Sequence, residues 1–183
     1  MKRKEGILII FVLILLVLGI SIFIFFNNKN KISEEYIPQE EISDEQLRQT
    51  IITLYFKNKE NGEITSEARK ADVSVLIRDP YNYLINELIS GPKNNKLEKV
   101  IPEGVKINET KLDGDVLIVD LSKEFILNAP QDKEEQIKII KSIVNTVTEL
   151  TEVNYIRILI DGEENKGFPS GDIMFNENIS RII

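Results

Sequence analysis

The chain has 183 residues, 42% of them apolar, and 30 acidic residues against 23 basic ones give a formal net charge of −7. It contains no cysteine, histidine or tryptophan, which excludes a disulfide framework, thiol nucleophiles, histidine-centred triads and the usual Cys/His zinc sites. The length accommodates one domain of roughly 100–150 residues with a flanking segment.

Residues 1–6 carry Lys2, Arg3 and Lys4 against Glu5, and residues 7–26 then run without a charge, interrupted only by Gly19 and Ser21. As a helix this run reaches about 30 Å, the thickness of a bilayer's hydrocarbon core. It therefore predicts a retained transmembrane signal anchor in contact with membrane lipid. A wholly buried core helix and a cleaved leader are the competing readings. The run outlasts an ordinary leader's apolar region and passes into Phe25, Phe26 and Asn27 without a small-x-small cleavage site. With no cysteine there is nothing to acylate as a lipoprotein. The basic residues before the run predict a cytoplasmic N-terminus, and hence a single-pass cell-membrane protein whose C-terminal domain is extracytoplasmic.

Charge divides with position. Residues 1–31 carry a net +4 and residues 32–183 a net −11, a balance unsuited to nucleic acid, which needs a basic footprint. Residues 27–49 are polar and acidic around Pro38 and read as a stalk or linker.

The compact domain is expected over residues 50–177, with a C-terminal tail at 178–183. Ile51–Phe56 reads as a strand ended by the turn cluster Asn58–Gly62. The alternation of Ala71, Val73, Val75 and Ile77 with polar neighbours predicts a half-buried strand over 70–77. Asp79-Pro80 opens a helix, and Gly91-Pro92 closes it. Asp113-Gly114 between 105–112 and 115–121 predicts a hairpin with a type I′ turn. The second arm is apolar on both faces, as a central strand is. A helix follows over 133–150, with Ile137, Ile140, Ile143 or Val144, Val147 and Leu150 as its stripe. Tyr155–Ile160 is a further strand closed by Asp161-Gly162, and Ile173–Phe175 adds a possible edge strand. The order β-β-α-β-β-α-β predicts an α+β fold with two helices on one face of a mixed sheet.

Chemistry-bearing patterns are sparse. No serine sits in a G-x-S-x-G elbow. Asp161-Gly162-Glu163-Glu164 lacks the frame of a calcium loop, and Gly162 with Gly167 lacks the Lys-Ser/Thr of a phosphate loop. Asp120 and Ser122 at a strand end read as turn caps, and Asn145 within an apolar helix reads as a local hydrogen-bonding residue. No catalytic residue, metal site or cofactor is expected.

One ordered set of short blocks carries a resemblance. Leu54-Tyr55-Phe56, Leu84 to Leu88 with Gly91-Pro92, Ile101-Pro102-x-Gly104, Val119-Asp120-Leu121-Ser122-Lys123-Glu124-Phe125, Ile143-Val144-Asn145-Thr146-x-Thr148-Glu149-Leu150 and Ile160-Asp161-Gly162 together resemble the GerMN domain family over about residues 50–176. The family occurs in sporulation, spore-germination and other bacterial envelope proteins. The resemblance implies a compact α/β module similar to ring-building folds, without catalytic residues, that packs beside other envelope proteins or copies of itself. It also implies architectural roles for Gly91, Pro92, Pro102, Gly104, Asp120, Ser122, Asn145, Thr146, Asp161 and Gly162. The expected function is a noncatalytic interaction or assembly domain of the cell envelope linked to sporulation or germination. A monomeric module binding a wall component or exported protein is one alternative; a wall-glycan enzyme working through acidic residues is the other.

Overall fold

The computed structural model describes residues 2–29 and 48–181, in two compact units, residues 1–42 and 43–183. The first contains helix α1 (Lys2–Lys29), whose described side chains, residues 13–26, are all exposed. Among the described residues no helix is long and apolar enough to cross a membrane. The single-pass topology expected from residues 7–26 therefore does not hold on the described structure. Most of the expected stalk, residues 30–47, lies outside the described residues.

The second unit contains two sheets. Strands β1 (Gln49–Asn58), β2 (Ile64–Asp72) and β3 (Leu97–Glu98) form one, in the order β2-β1-β3. Strands β4 (Ile107–Asp113), β5 (Val116–Leu121), β6 (Tyr155–Ile160) and β7 (Ile179–Ser180) form the other in chain order. The β5–β6 pairing is parallel and the rest are antiparallel, so the fold is α+β with a mixed sheet. Helices α2 (Val73–Arg78) and α3 (Pro80–Ser90) follow β2; α4 (Glu124–Leu127) and α5 (Lys133–Val147) make the crossover from β5 to β6.

Local chemistry explains most boundaries. Asp79 accepts a hydrogen bond from the Asn82 amide and Pro80 occupies the first helical position, so α3 starts there. It ends at Gly91, whose φ of +90° suits glycine. Asp132 caps α5 by accepting from Glu135 N, with Glu134 and Glu135 at the positive end of its dipole. The fourth strand and the fifth differ from expectation at their turn. Their ladder runs to Asp113 opposite Val116, so the central residues are Gly114 and Asp115. Only Gly114 of the two has positive φ, which excludes type I′.

Residues 70–77 are not one strand. β2 begins at Ile64 and stops at Asp72, whose carboxylate accepts from Ser74 N and starts α2. An N-cap thus ends the alternation that reads as a strand. The expected tail, residues 178–183, contains β7, which pairs Tyr155 with Ser180 and Ile156 with Ile179. At Ile173–Phe175 there is only an isolated bridge between Gly167 and Met174. A Cβ at Gly167 would collide with the Ile173 carbonyl, so this close approach requires glycine.

The core joins Ile52, Leu54 and Phe56 of β1, Leu84, Ile85 and Leu88 of α3, and the inner faces of β5 and β6 around α5. Phe125, Phe168 and Phe175 stack at one end with centroids 5.2 to 5.9 Å apart. Every residue of α5 from Ser142 to Val147 is buried, so its second half is a central helix rather than a surface one.

Candidate interaction surface

The first sheet is held by polar groups. Glu67 and Arg69 lie two apart on β2 and face the same side, inward, where both are buried. The Arg69 guanidinium pairs with Glu67 and with Glu87 of α3 and donates to the Gly91 carbonyl at 3.1 Å. The Glu67 carboxylate also accepts from the amides of Asn94 at 2.8 Å and Lys93 at 3.1 Å. Burial pushes the Glu67 carboxyl upward, but those two amides and Arg69 together hold it below its ordinary value. The network ties β2 to the end of α3 and the loop after it.

Helix α5 closes part of the β1 edge. The amide of Tyr55 donates to Thr146 Oγ1 at 3.1 Å, and its carbonyl accepts from Ser142 Oγ at 2.5 Å. Ser142 and Thr146 are four apart and thus share one helix face. They stand where a neighbouring strand would otherwise supply partners, which explains two fully buried hydroxyls on an apolar helix. Further along the same edge Lys57 pairs with Glu98 of β3.

Beside this capped residue lies a groove of about 250 Å³, lined by residues 50–53 of β1, Leu76 of α2, Leu84 of α3, and Thr146, Glu149 and Leu150. Arg181 lies at its rim. Its Nη2 donates to Glu149 Oε1 at 2.7 Å and to the Tyr55 hydroxyl at 2.6 Å, and its guanidinium carbon is 5.4 Å from the Tyr55 ring centroid. The Tyr55 hydroxyl donates to Glu149 Oε1 at 2.8 Å. Arg181 lowers the Glu149 carboxyl, while burial and Glu149 raise the Tyr55 hydroxyl. Ile51, Leu127 and Ile77, 61%, 63% and 80% exposed, are the domain's most exposed large apolar side chains among the described residues.

A second groove, about 300 Å³, lies on the outer face of the other sheet, lined by Glu109, Lys111, Ile118, Asp120, Leu159 and Gly162. Its mixed charges do not converge on a reacting position. Among the described residues no group of three or more acidic side chains could hold a metal ion.

The residues singled out in the sequence fall into separate places. Asp120 Oδ1 accepts from the Gly162 amide at 2.9 Å, and Asp161, at φ 49°, donates from its amide to the Leu121 carbonyl. Ser122 Oγ accepts from the Lys106 amide, joining the strand exit to the chain that enters β4. Pro102 is buried, and Gly104, with φ +82°, lies against Glu124 and Asn128. Gly91 belongs to the Arg69 network, with half-buried Pro92 beside it. Asn145 is buried, and only Thr146 belongs to the β1 groove. Sequence reasoning missed Tyr55, Ser142, Glu149 and Arg181 as a group, and the Glu67–Arg69 pair. The signals present were hydroxyls four apart on an apolar helix and opposite charges two apart in a strand.

Comparison with known proteins converges on one family. The Germane family, described as sporulation and spore germination, matches residues 53–166. The spore germination protein GerM of Bacillus subtilis (strain 168) is 24% identical over 182 aligned positions, covering 83% of this chain and 49% of that protein. The chain thus spans about half the length of this curated relative. The tandem GerMN domains of GerM from Bacillus subtilis align with a TM-score of 0.61 at 22% identity, over 74% of this chain and 47% of theirs. The first GerMN domain alone aligns at 0.60 and 24% identity, over 72% of this chain and 98% of its own. A putative lipoprotein from Clostridium perfringens aligns at 0.51 and 25% identity, over 73% of this chain and 89% of its own.

Proposed function

The chain belongs to the Germane family of sporulation and spore germination, and from that membership we propose that its compact domain is a noncatalytic assembly module of the bacterial cell envelope, acting in sporulation or germination. The observation that carries this reading is the family match across residues 53–166, which takes in both sheets' principal strands and every helix of the domain. The side-chain chemistry agrees with it. The buried charged pair and the buried hydroxyls are committed to holding strands and loops together, and neither groove gathers a nucleophile, a base and an electrophile at one point.

Partners are other envelope proteins or further copies of the chain. The relative with tandem domains joins two such modules in one chain, which supports a module that works beside another of its kind. Crosslinking of the tagged full-length chain in cells, with mass-spectrometric identification, tests this. Self-contacts and sporulation proteins recovered in sporulating cells support the assembly reading. Recovery of only wall-synthesis or transport proteins, equally in growing cells, contradicts it.

A further inference from the structure

We propose that the open end of the β1 edge, at Ile51 and Thr53, takes up an extended peptide of a partner protein as an added strand, with apolar residues alternating with basic ones. The proposal rests on the assembly reading and gives it a site and a ligand chemistry.

The direction of the main-chain groups follows from Tyr55. Its amide and carbonyl meet Thr146 and Ser142 of α5, away from β2. In an antiparallel ladder alternate residues turn their hydrogen-bonding groups to opposite edges. Lys57, two residues on, accordingly faces β3. Ile51 and Thr53 therefore turn their amides and carbonyls to this same outer edge. Among the described residues no strand pairs with them, because β3 meets β1 only at Lys57 and Asn58. One edge is thus filled by a strand at Lys57, by hydroxyls at Tyr55, and by no described element at Thr53 and Ile51.

The side chains match that opening. Exposed edges are normally blunted by lysine, proline or a bulge, yet residues 50–53 read Thr-Ile-Ile-Thr, and their pairing with β2 is regular. The outer edge of β2 by contrast carries Lys70. The groove beside residues 50–53 presents Leu84 and Leu150 to an incoming apolar side chain. Its one ionisable lining group, Glu149, is already paired with Arg181, so the preference for basic residues comes from the net −11 of residues 32–183, which favours them in encounter. Main-chain pairing with alternate side chains in a pocket is the mode of strand addition. Since α5 occupies the edge at Tyr55, the added strand is short.

The probe is a fluorescent, end-blocked octapeptide of alternating valine and lysine, titrated into the purified full chain and read by anisotropy. Its counterpart alternates valine with glutamate. Thr53→Pro removes the outward amide while leaving the β2 ladder, which uses the even-numbered residues, intact; Thr53→Val keeps the amide. Ile51→Lys, at an exposed side chain, serves if Thr53→Pro fails to fold. Saturable binding of the valine–lysine peptide to wild type and Thr53→Val, at least tenfold weaker in Thr53→Pro or Ile51→Lys and absent for the glutamate peptide, supports the proposal. Equal binding by all variants, or none by wild type, overturns it. Self-association abolished by Thr53→Pro without peptide binding also overturns it, assigning the edge to a second copy. If the wild type fails to bind the peptide while in-cell crosslinks persist in Thr53→Pro, this edge is wrong and the assembly reading stands.

Discussion

The two sheets of the domain bury their inner faces by different means. The β4–β7 sheet places Leu117, Val119 and Leu121 of β5 beside Ile156, Ile158 and Ile160 of β6, all buried and all aliphatic. The β1–β3 sheet sets Ile52, Leu54 and Phe56 against a β2 face that carries Glu67 and Arg69, and it borrows two hydroxyls from α5 for its edge. The aliphatic face needs only area, whereas the polar face needs every partner in place. A sheet whose edge is closed by side chains rather than by a strand is also one whose edge closes only where those side chains reach.

The comparison breaks most readily at Arg69. Arg69→Leu leaves Glu67 buried without its cation, and removing one member of a buried pair costs about 3–5 kcal/mol; chemical denaturation should show a loss of that size. In the aliphatic sheet, Leu117→Ala, at a fully buried position, should cost about 2–5 kcal/mol through lost burial and the cavity left behind. Its size relative to Arg69→Leu shows which sheet depends more on single contacts. Thr146→Val keeps the shape but strands the Tyr55 amide, an effect of about 1–3 kcal/mol, with faster amide exchange at Tyr55 as its specific sign. Asp132→Ala removes only the cap of α5 and should cost about 1 kcal/mol.

Acid sharpens the comparison without mutation. The Glu67 carboxyl is held below its ordinary 4.5 in the folded chain. Its contribution is fully present above that unfolded value and is lost as pH falls through the lower, folded value. Between those limits, denaturation midpoints should fall with pH less steeply in Glu67→Gln than in wild type. Equal slopes would show that Glu67 does not carry the acid dependence.

Much of the fold is legible in the sequence where local chemistry is decisive. Asp79-Pro80 and Gly91-Pro92 bracket α3, and β5 reads as central because Val116 and Ile118 are apolar opposite Leu117 and Val119. The failures have a common cause. β2 is hidden because its inner face is Glu67 and Arg69, and a charge pair has no place in a hydrophobic period. Residues 73–78 show an apolar alternation, but the Asp72 cap takes the chain into a helix. The stripe predicted for α5 omits Gln136, Ile139, Ser142 and Thr146, all buried, because the helix is enclosed on more than one side. Gln136 is satisfied there by donating to the Pro130 carbonyl and accepting from Ser170. The groove by β1 draws on β1, both helices after β2, α5 and its C-terminal exit, and Arg181. No segment of sequence contains it. The family resemblance marked turns, strand exits and, at the edge, Thr146 alone.

Residue-resolved amide exchange of the free chain tests most directly whether the β1 edge is closed at one end and open at the other. The account predicts a protected amide at Tyr55, held by Thr146, and fast exchange at Thr53 and Ile51. It also predicts that Thr53 slows when the valine–lysine peptide is added. Protection at Thr53 equal to that at Tyr55 in the free chain, unchanged by peptide, would contradict an open edge.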